Sequence, residues 1–245
     1  MVCKLRSPPS LYIITVSGGV CQVQRTPLSE RNMPYYTRGE EIMNMVTHIV
    51  GGGLGVLILV CSVTVAALHA DLWGIISAAI YGFSMVCLYS VSSVYHGLNM
   101  NRGKRVMQVI DHCTIYFLIA GTYTPILLAG IRLNDPALAW IVFGVEWGLA
   151  ALGITLNAID LRRYRVFSMI CYLCMGWMIV ISLKACVAAM TWNGFIWLLA
   201  GGISYTIGAV LYGVGRKVRY FHAIFHIFVV FGSVFQAIGI IFYIL

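Results

Sequence analysis

The run IVGGGLGVLILVCSVTVAAL, residues 49–68, decides the fold because its twenty residues carry no charged side chain. A helix needs about 20 predominantly apolar residues to cross a bilayer. Over the whole chain of 245 residues, 60% are hydrophobic and 10% are charged, and the mean hydropathy is +0.89. Soluble domains average about 25% charged residues. The sequence therefore predicts a polytopic membrane protein.

Apolar segments recur from residue 43 to the C-terminus, separated by short polar or basic clusters. With connections of about 2–8 residues, seven spans fit this length. The predicted spans are 43–68, 72–95, 107–130, 137–158, 166–185, 192–214 and 220–244. We therefore expect an all-α integral membrane fold, a seven-transmembrane helix bundle, over residues 40–245.

Residues 1–39 differ from the rest, because they are basic and interrupted by proline and glycine. Their apolar run, residues 11–16, is too short to span a bilayer. We expect a flexible basic N-terminal arm without a functional site. One alternative places the natural start at Met33. Another is a secretory signal peptide, since Lys4 and Arg6 precede the apolar run, although no A-x-A-like cleavage site follows.

The basic residues predict the orientation. Seven spans place fourteen of the sixteen Lys and Arg on one side and leave Arg132 and Lys184 on the other. By the positive-inside rule the N-terminus is then cytoplasmic and the C-terminus external. An even number of spans would remove this segregation. Since topology explains the net charge of +8, we predict the lipid bilayer as partner and no nucleic acid.

Four ionisable residues fall inside the predicted spans or directly at their ends, at a similar depth: His96, Asp111, His222 and His226. All lie within the first two turns from the cytoplasmic side, in a slab under about 10 Å thick at 1.5 Å per residue. Ionisable residues inside a membrane are costly and are usually functional or paired. Three predicted helices therefore bring imidazoles and a carboxylate to one level.

The spacing of His222 and His226 places both rings on one helical face, as in helices that hold a metal through two ligands. Catalytic zinc takes three protein ligands and a water. We predict a Zn²⁺ site formed by His96, His222 and His226, with Asp111 as a fourth ligand or as the partner of the bound water. The alternative is that each histidine is a hydrogen-bonded structural residue of a polar seam.

Four further polar residues lie near the predicted site. Ser92 lies one turn deeper than His96 and could bind a ligand or substrate oxygen, or only its own backbone. Glu40, Asn44 and His48 form an i, i+4, i+8 stripe at the entry of the first span. They could support the metal ligands from behind, since metal-bound histidine usually bonds a carboxylate or carbonyl through its other nitrogen. A solvated helix entry would also explain Glu40 and Asn44.

Four motifs in order carry a resemblance to a known family: EEIMNMVTH at 40–48, SSVYH at 92–96, DHCTIYFLIAGTYTP at 111–125 and HAIFH at 222–226. Together they resemble the hemolysin III family, the bacterial branch of the progestin and adipoQ receptor proteins, which is related more distantly to alkaline ceramidases. The resemblance covers about residues 40–245.

The resemblance implies a seven-helix protein of the bacterial inner membrane with zinc on the cytoplasmic side. The family's ligands correspond to His96, His222 and His226, its aspartate to Asp111 and its serine to Ser92. The kinship with ceramidases implies a zinc-dependent hydrolase of lipid amide or ester bonds. In such an enzyme Asp111 would orient the water or accept its proton, and Ser92 would stabilise the oxyanion.

Two alternatives to the hydrolase remain open. The family name implies a cytolytic, pore-forming protein. However, the halves of the spans remote from the cytoplasm offer few polar groups for a continuous polar path across the membrane. A receptor or sensor whose zinc is structural would use the same residues.

Overall fold

The computed structural model of the chain describes residues 16–17, 20–21, 27–28, 33–69, 71–215 and 218–245. Seven α-helices make up most of these residues: α1 Arg38–His69, α2 Leu72–Gly97, α3 Arg102–Pro125, α4 Pro136–Asp160, α5 Arg165–Gly176, α6 Leu183–Val214 and α7 Phe221–Tyr243. In the N-terminal arm, the two-residue strands β1 Val16–Ser17 and β2 Val20–Cys21 pair antiparallel.

Three of these helices begin at a side chain that caps them. Asp71 accepts a hydrogen bond from the backbone N–H of Gly74 at the start of α2, and Asn101 accepts one from Lys104 at the start of α3. Asp135 does the same before α4 and is followed by proline at the first helical position. Short polar residues are favoured there because they satisfy the otherwise unpaired first N–H groups.

The helices pack mainly with their neighbours in the chain, and the bundle closes where α1 packs against α7. Helix α3 is the most buried of them. It continues past Pro125 through a π-helical turn, Ile126–Gly130, and a 3₁₀ turn, Ile131–Leu133. Such irregular turns follow a proline because it lacks the N–H that an α-helix requires.

Glycines allow α1 and α2 to approach closely. A Cβ atom on Gly51 would lie 2.6 Å from Cδ1 of Tyr89, and one on Gly55 would lie 3.4 Å from Cγ of Met85. The first of these distances is shorter than real side chains tolerate. Gly51 therefore makes room for the Tyr89 ring, which lies below the polar cluster described in the next section.

The described residues contain six helices long and apolar enough to cross a membrane, which confirms an all-helical, multi-pass membrane protein. The predicted fifth span, 166–185, is instead divided. Helix α5 has twelve residues, a 3₁₀ turn follows at Met178–Val180, and α6 begins at Leu183. At 1.5 Å per residue α5 covers about 18 Å, less than the 30 Å of a bilayer core.

The seventh span and the sides on which the termini lie therefore stay predictions. Six of the basic residues used to orient the chain lie outside the described residues: Lys4, Arg6, Arg25, Arg31, Arg216 and Lys217. Most of the predicted flexible arm, residues 1–39, lies outside them as well. Within the described part of the arm, the carbonyl of Leu28 accepts a hydrogen bond of 3.0 Å from Arg105 of α3.

Candidate metal centre

Helices α2 and α7 bring three histidines together. His96 lies in the last turn of α2, and His222 and His226 lie in the first two turns of α7. One ligand atom from each ring lies within 4.8 Å of the other two. Among the described residues, these three could hold a metal ion, and they are the three imidazoles that the sequence predicts.

Hydrogen bonds on the far side of two rings leave their other nitrogens facing the cluster. Nδ1 of His226 lies 3.2 Å from the carbonyl oxygen of Asn44, to which the Nδ1–H can donate. Nδ1 of His96 lies 2.6 Å from Oε2 of Glu41. With these bonds made, the Nε2 atom of each ring remains available as a metal ligand.

The spacing of two of the rings is close to that of a tetrahedral zinc site. Nε2 of His222 and Nε2 of His226 lie 3.1 Å apart. Two ligands of a tetrahedral site with Zn–N bonds of 2.0–2.1 Å lie about 3.4 Å apart. Nε2 of His96 is buried without a hydrogen-bond partner, and a buried polar atom of this kind calls for one. A cation between the three rings would supply it.

Glu41 supports His96 from behind, a role that the sequence analysis did not assign. Its Oε1 lies 2.7 Å from Nζ of Lys104, which also donates to the carbonyl of Leu98 at 2.9 Å. A carboxylate on the second nitrogen fixes the tautomer and orientation of a metal-bound histidine. The spacing could have revealed it, since Glu41, Asn44 and His48 follow an i, i+3, i+7 pattern.

Glu40 makes a different set of bonds. Its Oε2 accepts hydrogen bonds from the backbone and hydroxyl of Thr37, and its Oε1 accepts one from the backbone N–H of Tyr220. Glu40 therefore caps α1 and joins it to the start of α7. In this structure it bonds none of the three histidines.

Asn44 and His48 both contact the cluster. Nδ2 of Asn44 lies 3.4 Å from Nδ1 of His96. The ring of His48 stacks on that of His226, with centroids 3.7 Å apart, and its two nitrogens are buried without a hydrogen-bond partner. His48 also packs edge-on against Tyr89 at 5.1 Å. These side chains fix the position of the rings that would bind the metal.

Asp111 and Ser92 lie beside the three histidines. Asp111 falls outside the set of ligand atoms within 4.8 Å of one another. Both residues line the same cavity as His222 and His226. Asp111 is therefore not one of the three clustered ligand residues, and its role as partner of a bound water stays a prediction.

The cavity beside the histidines has a volume of about 170 Å³ and a mostly apolar lining. Ser92, Asp111 and the histidines lie at one end, while Gln236 lines it ten residues beyond His226 on α7. Ten helical residues span about 15 Å. We call this space the inner cavity; its length and lining suit a hydrocarbon chain.

A second chamber, of about 590 Å³, is also lined by His222, and we call it the outer chamber. The ring of Tyr36, just before α1, lines it and stacks on His222 with centroids 5.1 Å apart. Burial, with the nearby Tyr212 and Glu41, raises the pKa of the Tyr36 phenol well above its ordinary value. Tyr36 is therefore a neutral aromatic cover on the cluster.

Comparison with known proteins gives consistent matches. The family model described as "Haemolysin-III related" matches residues 36–237. "Hemolysin-3" of Bacillus cereus is 37% identical over 206 residues, which cover 84% of this chain and 92% of that protein. "Hemolysin-3 homolog" of Bacillus subtilis (strain 168) is 36% identical over 208 residues, 85% and 96% of the two chains. "Monocyte to macrophage differentiation factor" of Homo sapiens is 29% identical over 218 residues, 84% of each chain.

Proposed function

The chain belongs to the Haemolysin-III related family, and from that membership and its histidine cluster we propose that it is a zinc-dependent hydrolase of lipid amide or ester bonds. The proposal places it in a bacterial inner membrane, with the site on the cytoplasmic side. It depends on one observation above all. Three imidazoles, two of them buried, whose ligand atoms lie within 4.8 Å of one another adjoin an apolar cavity inside a membrane protein.

The number of ligands favours a catalytic zinc over a structural one. Structural zinc sites usually have four protein ligands, whereas catalytic sites have three and keep one position open. Here the set that closes within 4.8 Å contains three residues, and Asp111 remains outside it. A carboxylate that is not itself a metal ligand, beside an open metal position, is the arrangement that hydrolysis needs.

Each residue beside the metal position then has a distinct part. Zinc bound there would supply Lewis acidity, which polarises a carbonyl and makes a water molecule more acidic. Asp111 would act as the general base and accept the proton of the attacking water. A general base must lie within hydrogen-bond reach of the proton that it accepts. The Ser92 hydroxyl would donate to the oxyanion, and Glu41 would hold His96 in the tautomer that ligates through Nε2.

The inner cavity supports a lipid substrate. It extends from the histidines about 15 Å along α7. This length is the helical rise over the ten residue steps from His226 to Gln236, which both line the cavity. An acyl chain lying there would present its carboxyl carbon to Asp111 and Ser92. Apolar walls also exclude water from the site, which strengthens the electrostatic interactions within it.

The test starts with metal content. We expect about one zinc per chain in detergent-purified protein by mass spectrometry, the stoichiometry of a single three-histidine site. The double variant His222→Ala/His226→Ala should lose it, while His69→Ala, which changes an exposed histidine at the end of α1, should keep it. Absence of zinc after reconstitution of the folded wild type would make the histidines a polar seam and would place the pore-forming alternative first.

Hydrolysis is tested separately with Asp111→Asn. This variant should keep its zinc and lose about 10²–10⁴-fold in turnover, the usual contribution of a general base. Ceramides and acyl lipids in mixed micelles serve as substrates, with product detected by mass spectrometry. Zinc without any hydrolysis by the wild type would support a structural metal in a receptor or sensor and would overturn the enzyme proposal.

A further inference from the structure

The outer chamber and the inner cavity adjoin at the histidine cluster. Five residues line both spaces: His112, Leu161, Arg165, Tyr212 and His222. A molecule with one part in each space would therefore pass His222, one of the three rings of the candidate metal centre. The two spaces differ in chemistry, since the inner one is mostly apolar and the outer one is not.

The outer chamber carries positive charge. Three arginines line it: Arg162 in the α4–α5 connection, Arg165 at the start of α5 and Arg219 just before α7. The carboxylate among the lining residues belongs to Glu40, whose oxygens already accept hydrogen bonds from Thr37 and Tyr220. Gln108 and Tyr35 add neutral polar groups to the wall.

We infer that the outer chamber binds the anionic headgroup, a phosphate or a carboxylate, of a lipid whose hydrocarbon chain lies in the inner cavity. Guanidinium groups suit such a headgroup, because their planar N–H donors match the oxygens of phosphate and carboxylate. The inference rests on the proposed function and narrows its substrate class. The bond to be cleaved is then the one that joins headgroup and chain at His222.

Charge of this kind also has a simpler explanation, since basic residues at the ends of spans orient membrane proteins. That explanation requires positive charge on one side of the membrane, but it does not require the arginines to line the outer chamber. A headgroup site requires the arginines that line the outer chamber. Binding measurements on arginine variants at two places on the same side therefore separate the two.

The experiment uses full-length protein in dodecyl maltoside, stripped of metal with EDTA, and titrated with dodecyl phosphate in a calorimeter. The double variant Arg162→Gln/Arg219→Gln removes two chamber charges. The matched control Arg38→Gln/Arg102→Gln removes two exposed arginines that do not line the chamber. We expect at least about tenfold weaker binding in the first and less than about threefold in the second, because charge-assisted hydrogen bonds to phosphate are lost only in the first.

Equal affinity losses in the two double variants, or no loss in the first, would overturn the inference and leave the arginines an orienting role only. Inorganic phosphate forms the second arm, and displacement of dodecyl phosphate by an equal concentration of it would mark a free-anion site and also overturn the headgroup assignment. Because the protein is free of metal, this result is independent of the zinc and hydrolysis tests. Headgroup binding without zinc, or zinc without headgroup binding, would identify which proposal fails.

Discussion

The carboxylate of Glu41 joins His96 of the candidate metal centre to Lys104: its Oε2 lies 2.6 Å from Nδ1 of the imidazole and its Oε1 lies 2.7 Å from Nζ of the lysine. Both partners have buried side chains. The lysine keeps the carboxylate in place, and the carboxylate in turn fixes the ring. One interaction at the start of α1 thus sets the direction in which His96 presents Nε2.

Replacing Glu41 should therefore weaken zinc binding without removing a ligand. Mutations of such outer partners typically cost 10–100-fold in metal affinity, and we expect about this loss for Glu41→Gln. Competition with a chromophoric chelator measures it. The matched control is Glu40→Gln, which alters the neighbouring carboxylate that bonds Thr37 and Tyr220, and which should keep the wild-type affinity. Equal losses in both variants would contradict the role of Glu41.

Tyr36 should control how fast a bound metal leaves. Its ring stacks on His222 at an interplanar angle of 20°, on the side of the outer chamber. Tyr36→Ala removes this cover, and we expect zinc loss to excess EDTA to be about tenfold faster, since contacts that must open before release are reflected mainly in the dissociation rate. Tyr36→Phe keeps the ring and should release zinc at the wild-type rate. If Phe and Ala behave alike, the hydroxyl and not the ring is responsible.

Asp71 should contribute stability that depends on pH. Slight desolvation raises its pKa, but hydrogen bonds from Gly74 and from the guanidinium of Arg132 outweigh this effect, so the pKa lies below its ordinary value. A carboxylate with a lowered pKa stabilises the fold above its unfolded pKa of about 3.9, and this contribution is lost as the pH falls through the folded pKa.

Two substitutions separate the parts of this contribution. Asp71→Asn keeps a capping oxygen for α2 and loses the ion pair, which at an exposed site costs at most about 1 kcal/mol. Asp71→Ala also loses the cap, for about 1 kcal/mol more. Thermal unfolding in detergent at pH 7 and at about pH 2, below the unfolded pKa, measures both. The difference between wild type and Asp71→Asn should shrink at about pH 2, and an unchanged difference would show that ionisation of Asp71 is not involved.

Helical periodicity was enough to predict that His96, His222 and His226 lie together. The four-residue spacing of His222 and His226 fixes their common face, and the end of the second span fixes the depth of His96. Which glutamate reaches His96 depends instead on how α1 is rotated against α2 and α7. The side chains of Glu40 and Glu41 leave the α1 axis in directions about 100° apart. The sequence alone predicted that Glu40, and not Glu41, belongs to the polar stripe behind the histidines. Tyr36 was missed because it precedes the helix and carries no periodicity.

The sequence pattern also did not predict that α6 continues through a kink at Thr191. Thr191 adopts φ 61°, a left-handed conformation that non-glycine residues rarely take, within the segment CVAAMTWNG at 186–194. The predicted sixth span starts at residue 192, directly after this kink. Apolar composition continues through it, so hydropathy detects two spans where the structure shows α5, a 3₁₀ turn and a kinked α6.

The path of residues 165–190 decides on which side of the membrane the chain ends. If α5, the 3₁₀ turn Met178–Val180 and the first turns of α6 together cross the bilayer as a broken helix, the chain has seven crossings and the C-terminus is opposite to the N-terminus. Broken helices are tolerated at membrane depth where they are buried in protein, because neighbouring groups satisfy their backbone. The hydroxyl of Tyr123 does this here, since it accepts a hydrogen bond from the N–H of Ile179 and donates one to the carbonyl of Gly176.

Fusions of alkaline phosphatase and of green fluorescent protein after Leu245 test this topology in a bacterial host. We expect active phosphatase and no fluorescence, because phosphatase matures only outside the cytoplasm and the basic connections 102–105 and 162–165 favour the cytoplasm. A truncated fusion after Tyr164 provides the internal control and should be fluorescent. Fluorescence at both positions would mean that residues 165–190 enter and leave on one side, so that the chain crosses six times. The outward C-terminus predicted from the positive-inside rule would then be wrong.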